Sequence, residues 1–352
     1  MTEPTAGLTL WRTIADARPQ PVQARTEDLR AAADRLGQLL SPALAQHLLA
    51  SLESRLGAAL IDPAAADNSR LLSRFQFAQQ RKWAAAIVDA GINAVFLKGF
   101  AAALAFYREP EVRAIGDLDI LVRERERDRL VGFLGAAGFR FHPLPMRIWG
   151  SFAGVSYMPF VSSDGGCNID IHIEPDSWPT YRSLDLERVF ARAVTAGRFR
   201  IPCAEHNLLL AATNAAKDKL GTYTVRKVVD ALVVIDRAPR LDWTEIGAIA
   251  GEGGFLKPLR VFLALLVRLG LPANRVPAEL ARPPGGLAAR EFARMVDDFA
   301  RLFPQSRHGF AVFRRETLLC AEPAVEAGLI LRRLGGVARP QSGVPESGKA
   351  YL

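Results

Sequence analysis

Cysteine is scarce in this chain of 352 residues, which contains only Cys167, Cys203 and Cys320. No two of them have the close spacing of zinc-ligand pairs, and an odd, scattered set is typical of a reducing compartment. We therefore expect no zinc site and no structural disulfide.

Long hydrophobic runs are also missing. The most apolar segment, residues 261–267, lies between Arg260 and Arg268 and is far too short to cross a bilayer. The first residues lack the basic stretch followed by an apolar stretch that marks a secretory signal. We therefore expect a cytoplasmic protein with no membrane association. With 49% hydrophobic residues, the chain has the composition of a globular protein with room for two or three domains.

Clustered positive charge is absent despite a formal net charge of +8. Basic residues are spread along the chain and often alternate with acids, as in residues 123–129, which is typical of a solvated helix face with local ion pairs. A nucleic-acid groove would instead show grouped Lys and Arg beside exposed aromatic residues. The sequence favours a small molecule or a peptide over nucleic acid as the bound molecule, and no stable partner is evident.

Two aspartates, Asp117 and Asp119, alternate with apolar residues in a segment that we expect to form a strand. Side chains alternate between the two faces of a strand, so both carboxylates project from one face. Such a pair is costly without a cation, and its usual role is to hold Mg²⁺ or Mn²⁺, hard ions that bring the phosphates of a substrate with them. An Asp-x-Asp triplet also arises by chance in surface loops, so the neighbouring sequence must show whether this pair is a metal site.

The segment upstream of this pair supports a phosphate site. The pattern predicts a buried strand over residues 92–97, then Lys98-Gly99, then a helix packed by small residues over 100–107. A glycine at such a turn lets backbone N–H groups approach a phosphate, and the helix N-terminus adds positive potential. We expect Lys98 and Gly99 to meet the donor phosphates; the alternative is a lysine that only ends the strand in solvent.

A second acidic strand is predicted over residues 168–173, where Asn168, Asp170 and His172 share one face. Three carboxylates from two neighbouring strands can hold two metal ions, and Asp170 can act as the base for an attacking hydroxyl. His172 either joins this site or, in the interpretation that we favour, braces Asp170 or accepts a hydrogen bond in the core.

Together these motifs resemble the nucleotidyltransferase superfamily, in particular the bacterial group called uncharacterised nucleotidyltransferases. The shared pattern consists of Leu97-Lys98-Gly99, a helix ending near Tyr107, Arg113, Asp117-Leu118-Asp119 and Ile169-Asp170-Ile171-His172. The resemblance implies an α+β fold with a small mixed sheet that carries the carboxylates on adjacent strands. It also implies transfer of a nucleoside monophosphate from an NTP to a hydroxyl of an unknown acceptor, with Mg²⁺ or Mn²⁺ at the carboxylates Asp117, Asp119 and Asp170.

The expected nucleotide-binding residues are Lys98, Gly99, Arg113 and Lys217. Better-characterised members of the superfamily have Gly-Ser where this chain has Lys98-Gly99, which leaves open which donor phosphate the lysine meets. Arg113 either orients the Asp117–Asp119 segment or contacts the donor. A helical domain commonly supplies cations to the triphosphate in this superfamily, so the resemblance makes Lys217 a phosphate ligand. The alternative for its polar surroundings is a solvated face with a local Lys227–Asp230 pair.

Apolar periodicity and breaks divide the chain into four parts: an N-terminal helical extension (1–67), the catalytic core (68–200), a C-terminal helical bundle (201–338) and a disordered tail (339–352). We expect Ser41 and Pro42 to start a helix, a break over 61–68 and a long helix over 69–90. Trp178 and Tyr181 lie in a loop and either contact a base or acceptor or close the bottom of the core. Five further helices are predicted over 205–220, 224–237, 243–251, 256–269 and 288–302.

Two other functions remain compatible with these residues. A protein with this fold could bind a nucleotide or serve as a scaffold without turnover, although the complete set of three acids argues against a degenerate site. A phosphotransferase that moves a γ-phosphoryl group would use the same metal site, and the sequence separates it poorly from nucleotidyl transfer.

Overall fold

The computed structural model describes residues 6–16, 22, 24–141, 156–175 and 184–303, together with residues 314, 315, 318, 319 and 327. The aromatic loop residues Trp178 and Tyr181, and the predicted tail 339–352, lie outside the described residues.

A five-stranded mixed sheet forms the centre of the predicted catalytic core. Its strands are β1 (Ala94–Phe96), β2 (Leu118–Val122), β3 (Arg140–Phe141), β4 (Ser156–Val161) and β5 (Asn168–His172). They lie in the order β1-β2-β5-β4-β3, in which β2 and β5 are parallel and the other neighbours are antiparallel. The predicted α+β class with a small mixed sheet and helical flanks is confirmed.

Helices precede, interrupt and follow the sheet. They are α1 (Ala6–Ala15), α2 (Thr26–Leu39), α3 (Pro42–Leu56), α4 (Pro63–Asp89), α5 (Lys98–Phe106), α6 (Glu124–Ala136), α7 (Leu186–Ala191), α8 (Ala204–Lys217), α9 (Val225–Arg237), α10 (Trp243–Glu252), α11 (Leu256–Arg268) and α12 (Gly286–Ala300). The five helices predicted after residue 202 correspond to α8 to α12. No helix in the described part of the chain is long and apolar enough to span a membrane.

Capping residues decide where the early helices begin. The Ser41 side chain accepts a hydrogen bond from the Leu44 N–H, and Pro42 occupies the first turn of α3, as predicted. The predicted break over residues 61–68 is wrong, because α4 already starts at Pro63. The Asp62 carboxylate accepts hydrogen bonds from two backbone N–H groups of the first turn. Pro63, as the first residue of the helix, costs no hydrogen bond because an N–H there would have no partner within the helix.

Two hydrophobic cores stabilise the molecule. One lies around the sheet and includes Phe96, Phe100 and Ile120. The other joins the N-terminal helices to the C-terminal bundle, so that Trp11 of α1 packs near Phe299 of α12 and donates a hydrogen bond to its carbonyl oxygen at 2.8 Å. The N-terminal helices are therefore packed into the same core as the bundle.

A short hairpin closes the sheet region and was not predicted. Its strands, β6 (Val194–Ala196) and β7 (Phe199–Ile201), have three residues each, too few for a periodic pattern to show. Phe199 packs edge-on against Phe96 and Phe100, which ties the hairpin to the core around the sheet.

Candidate active site

The parallel register of β2 and β5 brings acidic side chains together. Asp119 lies directly opposite Asp170, and Leu121 lies opposite His172. Side chains alternate along both strands, so Asp119, Asp170 and His172 share one face while the isoleucines between them are fully buried on the other. One ligand atom from each of the three residues lies within 4.8 Å of the other two.

Asp119 is the most strongly held carboxylate of this group. Its Oδ1 is 2.5 Å from Lys98 Nζ and 2.7 Å from His172 Nε2, and Lys98 Nζ is itself 3.3 Å from that nitrogen. Burial alone would raise the pKa of Asp119, but the charge of Lys98 and the hydrogen bond from His172 outweigh it and hold that pKa well below its usual range. Asp119 is thus an anion at neutral pH despite its burial.

Lys98 occupies an unusual backbone position as the first residue of α5. Its φ of 51° lies in the left-handed region, which side chains other than glycine rarely adopt. Such strain persists where surrounding contacts fix it, and here the ion pair with Asp119 does so. The predicted turn of Lys98 and Gly99 therefore places the lysine ammonium at the carboxylates.

Asp117 and Asp170 form a second, weakly acidic pair. Asp117 lies immediately before β2, and its carboxyl group is close enough to that of Asp170 for each to affect the pKa of the other. Burial, followed by the charges of Asp119 and Asp117, raises the pKa of Asp170 to about 7. The charge of Asp119, followed by burial, raises the pKa of Asp117 as well. Without a further cation, this pair retains a proton near neutral pH.

The hydrogen-bond partner of His172 is Asp119, which corrects the interpretation that it braces Asp170. Burial and the charge of Lys98 lower its pKa and favour the neutral ring, in which one nitrogen carries a proton and the other a lone pair. The strict alternation of β5 placed His172 on the face of Asp170, but only the pairing of β5 with β2 brings it to Asp119. Asp117, by contrast, is not one of the three residues that converge within 4.8 Å.

A cavity of about 700 Å³ opens beside these carboxylates. The sheet side contributes Lys98, Gly99, Asp117 and Asp119, and the C-terminal bundle contributes the opposite wall. Helix α2 adds Arg35 and Gln38, which sequence reasoning did not connect with the site. Further lining residues from the bundle are Asn207, Asn214, Asp218, Thr222, Tyr223, Arg226, Lys227 and Asp230.

Arg113 lines the same cavity but is held by an acid of the bundle. Its Nε and Nη2 donate to the two carboxylate oxygens of Asp230 in α9 at 2.7 and 2.6 Å, and the Tyr107 hydroxyl donates to the same carboxylate at 2.8 Å. Both charged side chains are largely buried. This contact fixes the segment before β2 against the bundle. Of the two roles expected for Arg113, orienting the Asp117–Asp119 segment or contacting the donor, it corresponds to the first.

The polar cluster of α8 and α9 has a different pairing from the predicted local one. Lys227 pairs with Asp218, whereas Asp230 is taken by Arg113, so the Lys227–Asp230 pair is wrong. Lys217, the last residue of α8, does not line the cavity itself. Its charge nevertheless acts on both Asp170 and His172: it partly offsets the rise that burial causes in the pKa of Asp170, and it adds to the fall that burial causes in the pKa of His172.

Comparison with known proteins gives one match. A family model described as uncharacterised nucleotidyltransferase matches residues 30–270, more than half of the chain. The chain belongs to this nucleotidyltransferase family. Neither a curated protein nor a solved structure matches the chain.

The matched region of this nucleotidyltransferase includes every element that lines the cavity. It begins within α2, which carries Arg35 and Gln38, and it extends through the sheet to α11. The resemblance seen in the sequence is thereby confirmed at the level of the family.

The ligand atoms of Asp119, Asp170 and His172 fit a divalent cation. Carboxylate oxygens and a neutral imidazole nitrogen are suitable ligands, and the buried Asp119 already attracts a positive charge, that of Lys98. The pair of Asp117 and Asp170 retains a proton that a second positive charge would displace.

Proposed function

We propose that this protein transfers a nucleoside monophosphate from an NTP to a hydroxyl group of a small molecule or a peptide. The observation that carries the proposal is the direct pairing of Asp119 with Asp170 on parallel strands, with Lys98 bound to Asp119 and a cavity lined by Asp117 and Asp119. A volume of about 700 Å³ is in the range of pockets that hold nucleotide-sized ligands.

Asp119 and Asp170, with His172 as the nitrogen ligand, would hold Mg²⁺ or Mn²⁺, and Asp117 would complete the acidic set from the end of the preceding loop. When bound, the cation would neutralise phosphate charge and favour ionisation of an attacking hydroxyl. Asp170 would accept the proton of that hydroxyl on its carboxylate oxygen, because it lies on the strand next to Asp119 and a bound cation would keep it ionised.

The donor phosphates would meet the positive groups of the cavity. Lys98 is bound to Asp119, and Gly99 lines the cavity in the first turn of α5, where backbone N–H groups have no partner within the helix. Arg113 would add charge from the wall while it remains bound to Asp230, and Lys217 would act from the end of α8. These four residues form the proposed nucleotide-binding set.

Incubation with NTPs labelled at the α or the γ phosphate, in the presence of cell extract, tests the reaction class. We expect the α label to move to an acceptor, and Asp119→Asn to abolish this transfer. The exposed acid Asp297 of α12 offers the matched control, since Asp297→Asn leaves the site unchanged. Transfer of the γ label alone would assign the protein as a phosphotransferase, and transfer of neither label would favour a non-catalytic nucleotide-binding protein.

A further inference from the structure

Tyr223 is an exposed aromatic residue at the proposed donor cavity. It lies in a short 3₁₀ helix, Thr222–Thr224, between α8 and α9, and the residue is 83% exposed. Within the described part of the chain, it is the one aromatic residue among those that line the cavity. A single exposed apolar residue on an open surface needs no explanation, but a ring at the edge of a polar cavity offers a stacking surface.

The turn that presents Tyr223 is strained and closely held. Lys219 and Leu220 have φ values of 55° and 49°, so two successive residues other than glycine lie in the left-handed region. Such a conformation is unfavourable for residues other than glycine and persists only where the surroundings fix it.

Several contacts around the turn supply that constraint. The Leu220 side chain is fully buried, and its carbonyl oxygen accepts a hydrogen bond from Arg315 at 2.7 Å. The Gly221 N–H donates to the Asp218 carbonyl, and the Asp218 carboxylate is paired with Lys227. The exposed ring therefore projects from a backbone that is fixed before any ligand arrives, which reduces the entropy lost on binding.

The remaining lining residues suit the other parts of a nucleotide. Charged groups of the cavity wall, such as Lys98 and Arg226, suit phosphates, but they offer no apolar face to a base. The side-chain amides of Asn207 and Asn214 already donate to backbone carbonyls of their own region. Among the described residues that line the cavity, Tyr223 offers a planar base the only aromatic face.

We propose that Tyr223 stacks against the nucleobase of the donor NTP, an inference that rests on the proposed function. Stacking uses the π face that every base has, so it gives affinity without reading base edges. The protein then accepts several NTPs and binds purine nucleotides more tightly than pyrimidine nucleotides, because the larger ring covers more of the tyrosine.

Calorimetric titration with Mg²⁺ and α,β-methylene-ATP, and separately with Mg²⁺ and inorganic tripolyphosphate, tests this contact. We expect Tyr223→Ala to weaken binding of the ATP analogue about 5- to 100-fold and to leave tripolyphosphate binding unchanged. Tyr223→Phe should retain the affinity of the wild type. Leu287→Ala is the matched control, because Leu287 is 87% exposed and lies outside the cavity lining.

Three outcomes would overturn the stacking contact. They are an unchanged affinity of Tyr223→Ala for the ATP analogue, an equal loss for tripolyphosphate, and a Tyr223→Phe variant as weak as the alanine variant. Failure of the wild-type protein to bind the ATP analogue would instead overturn the proposed function, and the stacking contact with it.

Discussion

Asp170 makes the stability of the metal-free protein depend on pH. Its pKa is about 7 in the folded protein and near 3.8 in an unfolded chain. Between these two values the folded state binds more protons than the unfolded state, so the free energy of unfolding falls as the pH rises from about 4 to 7. The low pKa of Asp119 acts in the opposite direction, but only below about pH 4.

Thermal melting in EDTA at pH 5 and pH 8, with Tm as the measured quantity, tests the prediction for Asp170. We expect Tm of the wild type to fall between these pH values, and Asp170→Asn to reduce that fall by on the order of 5 °C. The same difference between pH 5 and pH 8 in both proteins would show that Asp170 is not protonated in the folded state.

The buried His206 of the bundle makes the free energy of unfolding depend on pH in the direction opposite to Asp170. Its side chain is fully buried in α8, and neither ring nitrogen has a hydrogen-bond partner among the described residues. Burial, followed by the charge of Arg192, lowers its pKa to about 4 from an ordinary value of 6.5. The unfolded chain binds the proton first, so stability is lost as the pH falls from about 6.5 towards 4.

Denaturant unfolding at pH 7.5 and pH 5 measures this effect. We expect His206→Leu to lose less stability than the wild type between the two pH values, by on the order of 1 to 2 kcal/mol. An equal loss in both proteins would assign the acid sensitivity to other groups.

At the scale of elements, the contact between Arg113 and Asp230 joins the segment before β2 to α9. Removing one partner of a buried ion pair leaves the other charge unpaired, so we expect Asp230→Ala to lower the free energy of unfolding by about 3 to 5 kcal/mol. The double variant Arg113→Met/Asp230→Leu should recover much of that loss, because it leaves no buried charge.

Denaturant unfolding of Arg113→Met, of Asp230→Leu and of the double variant that combines them gives the coupling energy between Arg113 and Asp230. The exposed pair of Arg123 and Glu187 is the control, and Glu187→Gln should change stability by less than about 1 kcal/mol. Purely additive effects of the changes at Arg113 and Asp230 would contradict the coupling.

Local patterns predicted the elements that carry the site but not the contacts between them. Asp119 and Asp170 could each be placed on a strand because strand alternation is visible within a few residues, whereas the adjacency of the two strands was implied by the family resemblance. The partner of Asp230 could not be predicted, because Arg113 lies 117 positions away in the sequence and the nearby Lys227 offered a local alternative. His172 was placed on the correct strand face, yet its contact with Asp119 depends on the register between β2 and β5.

At the scale of the whole molecule, the N-terminal helices could be predicted as helices but not as part of the cavity. Their periodicity shows which face is apolar, not which distant surface covers it. In the folded chain, Arg35 of α2 lines the cavity and donates hydrogen bonds to the carbonyl oxygens of Leu302 and Phe303. Arg35 thus joins the wall of the cavity, near the N-terminal end of the described chain, to residues towards its C-terminal end.

Gly7 tests how closely these two ends pack. A Cβ at this position would lie 2.1 Å from the carbonyl oxygen of Ala300, a backbone atom that cannot turn aside. We expect Gly7→Ala to push α1 away from α12 and to lower the free energy of unfolding by about 1 to 3 kcal/mol.

Gly132→Ala in α6 is the control for Gly7→Ala in thermal and denaturant unfolding. Nothing lies within 4 Å of a Cβ at Gly132, so alanine should leave stability unchanged or raise it by up to about 1 kcal/mol. Equal effects of the two substitutions would contradict the close packing of α1 on α12.

The most direct measurement is electron paramagnetic resonance of Mn²⁺ titrated into the protein with α,β-methylene-ATP present. If Asp119, Asp170 and His172 form the cation site, the wild type and Asp297→Asn bind Mn²⁺ with equal affinity, and Asp119→Asn binds it at least about 100-fold more weakly. Equal Mn²⁺ affinity in the wild type and Asp119→Asn would contradict a cation site between β2 and β5.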